Sequence, residues 1–151
     1  MGRFVGACAP LWLLWLVALG GCEGDIHKDI HGHIHVVVKR DDALVSPAMK
    51  ALVKHHTRAL PQIEVALHTA RAEGRVRLLE VLSQVRDVET SALLRHFGVF
   101  DSDPRVRALA ETTLASWAQS KPSQLATSAQ AALRWMSDQR AHGLGPVVRE
   151  E

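Results

Sequence analysis

The chain has no tyrosine, and its 151 residues hold only three phenylalanines and four tryptophans. So few rings argue against sugar or nucleotide sites built on stacked aromatics. Cysteine is nearly as scarce. Cys8 and Cys22 are the only two, and none follows residue 22. A thiolate nucleophile or a disulfide framework is therefore excluded from the rest of the chain. An excess of one charge is missing too: 18 Lys and Arg face 16 Asp and Glu, which leaves no basic surplus for nucleic acid. No glycine-rich loop is placed to cradle a phosphate. Ser83, Ser91 and Ser116 fall in helix-like stretches and not on a glycine elbow. Glu73, Glu80, Asp87 and Glu89 are scattered over helix ends and polar faces. The residues predict no enzyme.

What is present begins with an apolar leader. Arg3 is followed by Phe4 to Leu19, almost wholly apolar and ending in Leu19-Gly20-Gly21-Cys22. The run is shorter than the roughly 20 residues a membrane span needs, but it suits a secretory h-region. Leu19 to Cys22 resembles the lipobox of bacterial lipoproteins: an aliphatic residue, two small ones, then the cysteine that is lipidated. The resemblance implies that Cys22 carries the lipid and that Cys8 leaves with the signal. It also implies a membrane-anchored protein facing the periplasm. Glu23, where an aspartate would favour inner-membrane retention, leans the expectation toward the outer membrane.

From Ser46 onward the pattern is helical and repeated. Ser46-Pro47 and Asp103-Pro104 both read as helix starts, a capping side chain before proline at the first helical position. Arg75-Val76-Arg77 stands 30 residues before Arg105-Val106-Arg107, and Leu79 stands 30 before Leu109. Repetition at such a period points to stacked helical units. Apolar stripes run at helical spacing through Met49, Leu52, Val53 and Leu60; Ile63, Ala66, Leu67 and Ala70; Leu93, Phe97 and Phe100; and Val106, Leu109, Ala110, Leu114 and Trp117. Breaks at Leu60-Pro61, Glu73-Gly74, Arg86-Asp87 and Asp101-Ser102-Asp103 predict helices over 47–59, 61–73, 75–86, 89–99, 104–119 and 122–141. Loops this short make neighbouring helices antiparallel. His56 and His96 sit on or beside the stripes and read as hydrogen-bonded, partly buried residues. His55 and His56, adjacent on a helix, point too far apart to share an ion.

The stretch Asp101-Ser102-Asp103-Pro104-Arg105-Val106-Arg107-Ala108-Leu109-Ala110 resembles the second helix of HEAT repeats in their short, PBS-lyase-type form. The likeness extends over residues 47 to 120. In that family a loop aspartate and an arginine six residues on form a hydrogen-bonded ladder between repeats. Asp101 and Arg107 fit those roles, and Arg77 and Lys50 fit the basic role in the other copies. Arg71 stands where the aspartate before Arg77 belongs, so the ladder is incomplete. The implied fold is all-α: a solenoid of about three hairpins, capped by a last helix bearing Trp135, with a surface that binds other proteins. An envelope protein is the expected partner.

Between leader and helices lies Asp25-Ile26-His27-Lys28-Asp29-Ile30-His31-Gly32-His33-Ile34-His35-Val36-Val37-Val38. Two geometries fit it. As a strand it puts Asp25, His27, Asp29, His31, His33 and His35 on one face, and its isoleucines and valines favour that form. As a helix it stacks His27, His31 and His35 at successive turns, with Gly32 costing about 1 kcal/mol. The strand is preferred, turning at Lys39 to Asp42 into a small hairpin. His27, His31, His33 and His35 are candidate ligands for zinc, copper or nickel. On a straight strand three of them spread over roughly 13 Å, so only neighbours would share an ion, in a weak, exchangeable site. Free imidazole also titrates near neutrality, so in acid this segment would gain charge toward anionic headgroups. The bland reading is a polar tether. The expected organisation is a signal peptide at 1–21, a lipidated histidine-rich tether at 22–45, a helical domain at 46–141 and a tail at 142–151.

Overall fold

The computed structural model describes residues 21–40, 43–121 and 123–146, with side chains from Ile26 onward. The expected signal segment therefore lies outside the described residues up to residue 20, as does the Asp41-Asp42 half of the expected turn. All regular structure among the described residues is helical: α1 (Gly21–Lys39), α2 (Val45–Lys54), α3 (His56–Thr69), α4 (Ala72–Gln84), α5 (Val88–Phe100), α6 (Pro104–Ala118) and α7 (Gln124–Ala141). None of these helices is long and apolar enough to cross a membrane.

The preferred strand over 25–38 is corrected to a helix. In α1 the residues Ile30, Ile34 and Val37 follow at spacings of four and three, and they are 2%, 6% and 0% exposed. Burial of three large aliphatic side chains contributes several kcal/mol. That outweighs the cost of Gly32, which sits on the exposed side. The same burial makes α1 part of the helical body, so the segment is no tether. Arg77 on α4 fixes its end by donating to the carbonyl oxygens of Val37 (3.4 Å) and Arg40, satisfying acceptors that a helix terminus leaves open.

Two expected breaks also move. Pro61 lies within α3, which is separated from α2 only by His55. As the sixth residue of α3, Pro61 leaves the helix without the bond its N–H would have made to the Thr57 carbonyl. Gly74 is no break but sits buried in the first turn of α4. A Cβ there would lie 3.0 Å from Val38 Cγ1, so the missing side chain lets α4 approach α1. Ser46 is inside α2 and caps nothing; the N-cap position falls to Leu44, which makes no side-chain cap bond. The start read at Asp103-Pro104 is found, and two further caps join it. Asp87, Asp103 and Ser123 cap α5, α6 and α7, accepting from the backbone N–H groups of Glu89, Arg105 and Ala126. At the far end Gly143, at φ 71°, closes α7. The N–H groups of Gly143 and Leu144 reach back to the carbonyls of Arg140 and Gln139, each at 3.0 Å, a Schellman arrangement.

One apolar core runs from Ile30 on α1 to Met136 on α7. Helices α1 to α4 pack among themselves, as do α5, α6 and α7, and α4 against α6 joins the two groups. α1 touches α3 and α5 touches α7, while α2 touches α4 and α4 touches α6.

Candidate functional site

Two features on the odd-numbered helices gather the chemistry. The first is the histidine row of α1. The helix places His27, His31 and His35 on successive turns of its exposed side, while half-buried His33 falls about 200° round from its neighbours His31 and His35. The set on one face is thus three histidines, and His33 drops out of the four expected. Gln62 Nε2 on α3 lies 2.9 Å from His27 Nδ1, so one ring is already engaged. Among the described residues no three His, Cys, Asp or Glu side chains converge on a common point. Cys22 lies in the first turn of α1 by its backbone, and its side chain is outside the described atoms.

Beside this row, α1 and α3 enclose a groove of about 630 Å³. Its walls come from residues 31–39 of one helix and 61–70 of the other.

The second feature is a strip of rings across α3, α5 and α7. His68 and His96 stand with ring centroids 6.1 Å apart, and His96 lies 5.2 Å from Phe100. Phe100 in turn meets Trp135 edge-on at 6.0 Å. The Arg95 guanidinium lies over Trp135, 5.0 Å from the ring, within cation–π range. Phe100 is 37% exposed although its stripe position predicts burial. Burial, then the nearby His68 and Arg95, hold His96 below the ordinary imidazole range, and Glu64 opposes them. His96 keeps one exposed edge while neighbouring rings, met edge-on or tilted, shield part of it from water; His56 is half-buried, its Nδ1 3.1 Å from the Val53 carbonyl oxygen.

No family model, curated protein or solved structure matches this chain. The geometry of its own residues therefore carries the rest.

The ladder residues are organised differently from the expected pairing. Asp101 is 7% exposed, and its carboxylate takes a two-pronged ion pair from Arg75 on α4, at 2.7 and 2.9 Å. The same carboxylate accepts from the N–H of Asp103 at 2.8 Å. Arg107 donates instead to the backbone oxygens of Asp101 and Ser102, at 2.7 and 3.0 Å. Arg77, 30 residues earlier, also binds backbone oxygens of a loop, as described above. Lys50 is exposed on α2. Arg75 is thus the arginine that pairs with the loop carboxylate, while Arg77 holds the end of α1 and Arg105 reaches Glu73 on α4. The signal for Arg75 in the sequence was the Arg-Val-Arg repeat, which holds two arginines and not one.

Proposed function

We propose that the chain is a lipid-anchored envelope protein whose helical-repeat surface binds another protein. The strip His68, His96, Phe100 and Trp135, with Arg95 over the indole, is the observation that carries this reading. It crosses three odd-numbered helices, and Trp, Phe and Arg in partly exposed clusters are the groups enriched where proteins meet. The contacts of α1 with α3, α5 with α7, α2 with α4 and α4 with α6 support stacking of α-hairpins in the manner of short HEAT repeats, although α1 also packs on α4. A fold of this kind names no partner. The Leu19-Gly20-Gly21-Cys22 motif supports the anchor, with the periplasmic side of the outer membrane as its place.

A photoreactive residue placed at Phe100 should give a discrete crosslinked species in living cells. The same residue at exposed Thr112 on α6 should give none, and Trp135→Ala should weaken the Phe100 product about tenfold, as loss of an interface anchor does. Equal labelling from both positions would defeat the surface assignment. Incorporation of radiolabelled palmitate, lost in Cys22→Ser, tests the anchor separately.

A second reading is a metal-binding lipoprotein, favoured by the one-turn spacing of His27, His31 and His35. Two imidazoles at i and i+4 on a helix face one ion, and His31 and His35 are the pair that Gln62 leaves unengaged. Calorimetry with zinc or copper should then show binding that disappears in His31→Ala/His35→Ala. Absence of heat would remove this reading and leave the first standing.

A further inference from the structure

The groove between α1 and α3 joins two histidines of the metal reading to an aliphatic floor and a lysine that neither reading uses. Its floor is aliphatic: Ile34 and Val38 from α1, Val65 and Ala66 from α3. Val65 is 66% exposed, an unusual position for a valine on a helix that otherwise buries its stripe. Along one rim stand His31, His35 and Lys39, each one turn of α1 beyond the last. No carboxylate lines the groove among the described residues. The helices lie side by side in the same direction. His27 meets Gln62 near one end, and Val38 lies with Ala70 around Gly74 at the other. From His31 to Lys39 the groove runs about 12 Å along α1.

A volume of about 630 Å³ falls inside the range of small-molecule sites, roughly 300 to 1,000 Å³. Apolar walls with a few polar groups on one side are the usual composition of such sites. The lining runs along the facing sides of α1 and α3 for about 12 Å, so an extended chain can lie against it over its whole length. The rim offers N–H donors and one ammonium to the occupant's head.

We propose that this groove binds a single-chain amphiphile with an anionic head, a medium-chain carboxylate being the simplest case. The chain lies on Ile34, Val38, Val65 and Ala66. The carboxylate sits at the Lys39 end, where the ammonium and His35 meet it. The charge on the rim selects the head, and the length of the groove selects the tail. The site is independent of the ring strip but shares His31 and His35 with the metal reading; labelling that depends on Val65 and Lys39 without added metal separates the two.

The experiment uses the full chain as cells produce it, in a mild neutral detergent, with a photoreactive decanoate as probe. Crosslinks should map to the segments 31–39 and 61–70. Unlabelled decanoate should compete about tenfold better than decanol, the loss expected for a charge-assisted hydrogen bond. Competition should strengthen about two- to fourfold for each methylene from eight to about twelve carbons, as apolar burial requires, and then level off as the tail outgrows the groove. Val65→Glu should abolish labelling while the circular dichroism spectrum is unchanged. Lys39→Gln should keep the chain-length dependence and erase the preference for carboxylate over alcohol. Val88→Glu, at another exposed valine on α5, should change nothing. Labelling that centres on residues 4–19, or that survives Val65→Glu, would overturn the site. Equal competition by decanol and decanoate would overturn the anionic head.

Discussion

Asp101 is the residue on which most of the loop between α5 and α6 depends. Its carboxylate holds Arg75 and the Asp103 N–H, and its carbonyl holds Arg107. Removing the charge leaves a mostly buried guanidinium without its partner, so Asp101→Asn should destabilise the fold by about 3 kcal/mol in urea denaturation. Arg75→Met in the same background should recover part of that loss, because the orphaned charge goes with it. Such a link between residues 26 apart leaves no trace in local pattern. The repeat pointed to the right triplet, but the family pattern chose Arg77 from it, whereas Arg75 is the one that turns to Asp101. His96 supports a second test at this scale. Burial, with His68 and Arg95, lowers its proton affinity in the folded state, and Glu64 only partly offsets them. The unfolded chain therefore takes up the proton first. This contribution is intact above the ordinary imidazole value and is lost as pH falls from there toward the folded value. The melting temperature should fall as pH drops below the ordinary imidazole range, and His96→Gln should lessen that fall. Glu111 is held below the usual carboxylate range by its hydrogen bonds from Arg140, and Asp103 by those from Arg105. Here folding favours the charged form, and the pH trend has the same sign: these contributions are present above the ordinary carboxylate value and are lost in stronger acid.

At the level of elements, legibility followed the length and purity of the period. α6 was readable because Asp103-Pro104 marks its start and Val106, Leu109, Ala110, Leu114 and Trp117 admit only a helical period. α1 was not, because isoleucine every fourth residue satisfies a strand and a helix alike. The choice was made by neighbours distant in sequence: α2, α3 and α4 cover the stripe that only a helix presents to them. Glycine misled for a related reason. Gly74 looked like a break, yet it is the place where α1 and α4 come close. The histidine set shared this fate, since the change of period drops His33 from the face that keeps His27, His31 and His35. These points make α1 testable as an element. Ile34→Ala should cost about 2 to 4 kcal/mol, the loss seen for a buried aliphatic side chain, whereas on a detached tether it would cost nothing measurable. Chemical denaturation of the two proteins side by side decides it.

Across the whole molecule, the core is continuous from α1 to α7, with α4 against α6 as the joint between the two groups of helices. A single cooperative transition is expected. Leu79→Ala, at a buried position on α4, should lower stability by about 2 to 5 kcal/mol. Hydrogen exchange should show protection in α2 and α6 lost at the same denaturant concentration. Separate midpoints would mean two units rather than one. The position of Cys22 gives this rigidity a further meaning. It stands in the first turn of a helix about 28 Å long, and that helix is locked into the body by Ile30, Ile34 and Val37. A lipid attached there would hold the protein as a post holds a signboard, not as a leash holds a dog. The body would keep to the bilayer surface and present a fixed side to it, so a partner would have to come within that short distance to be met.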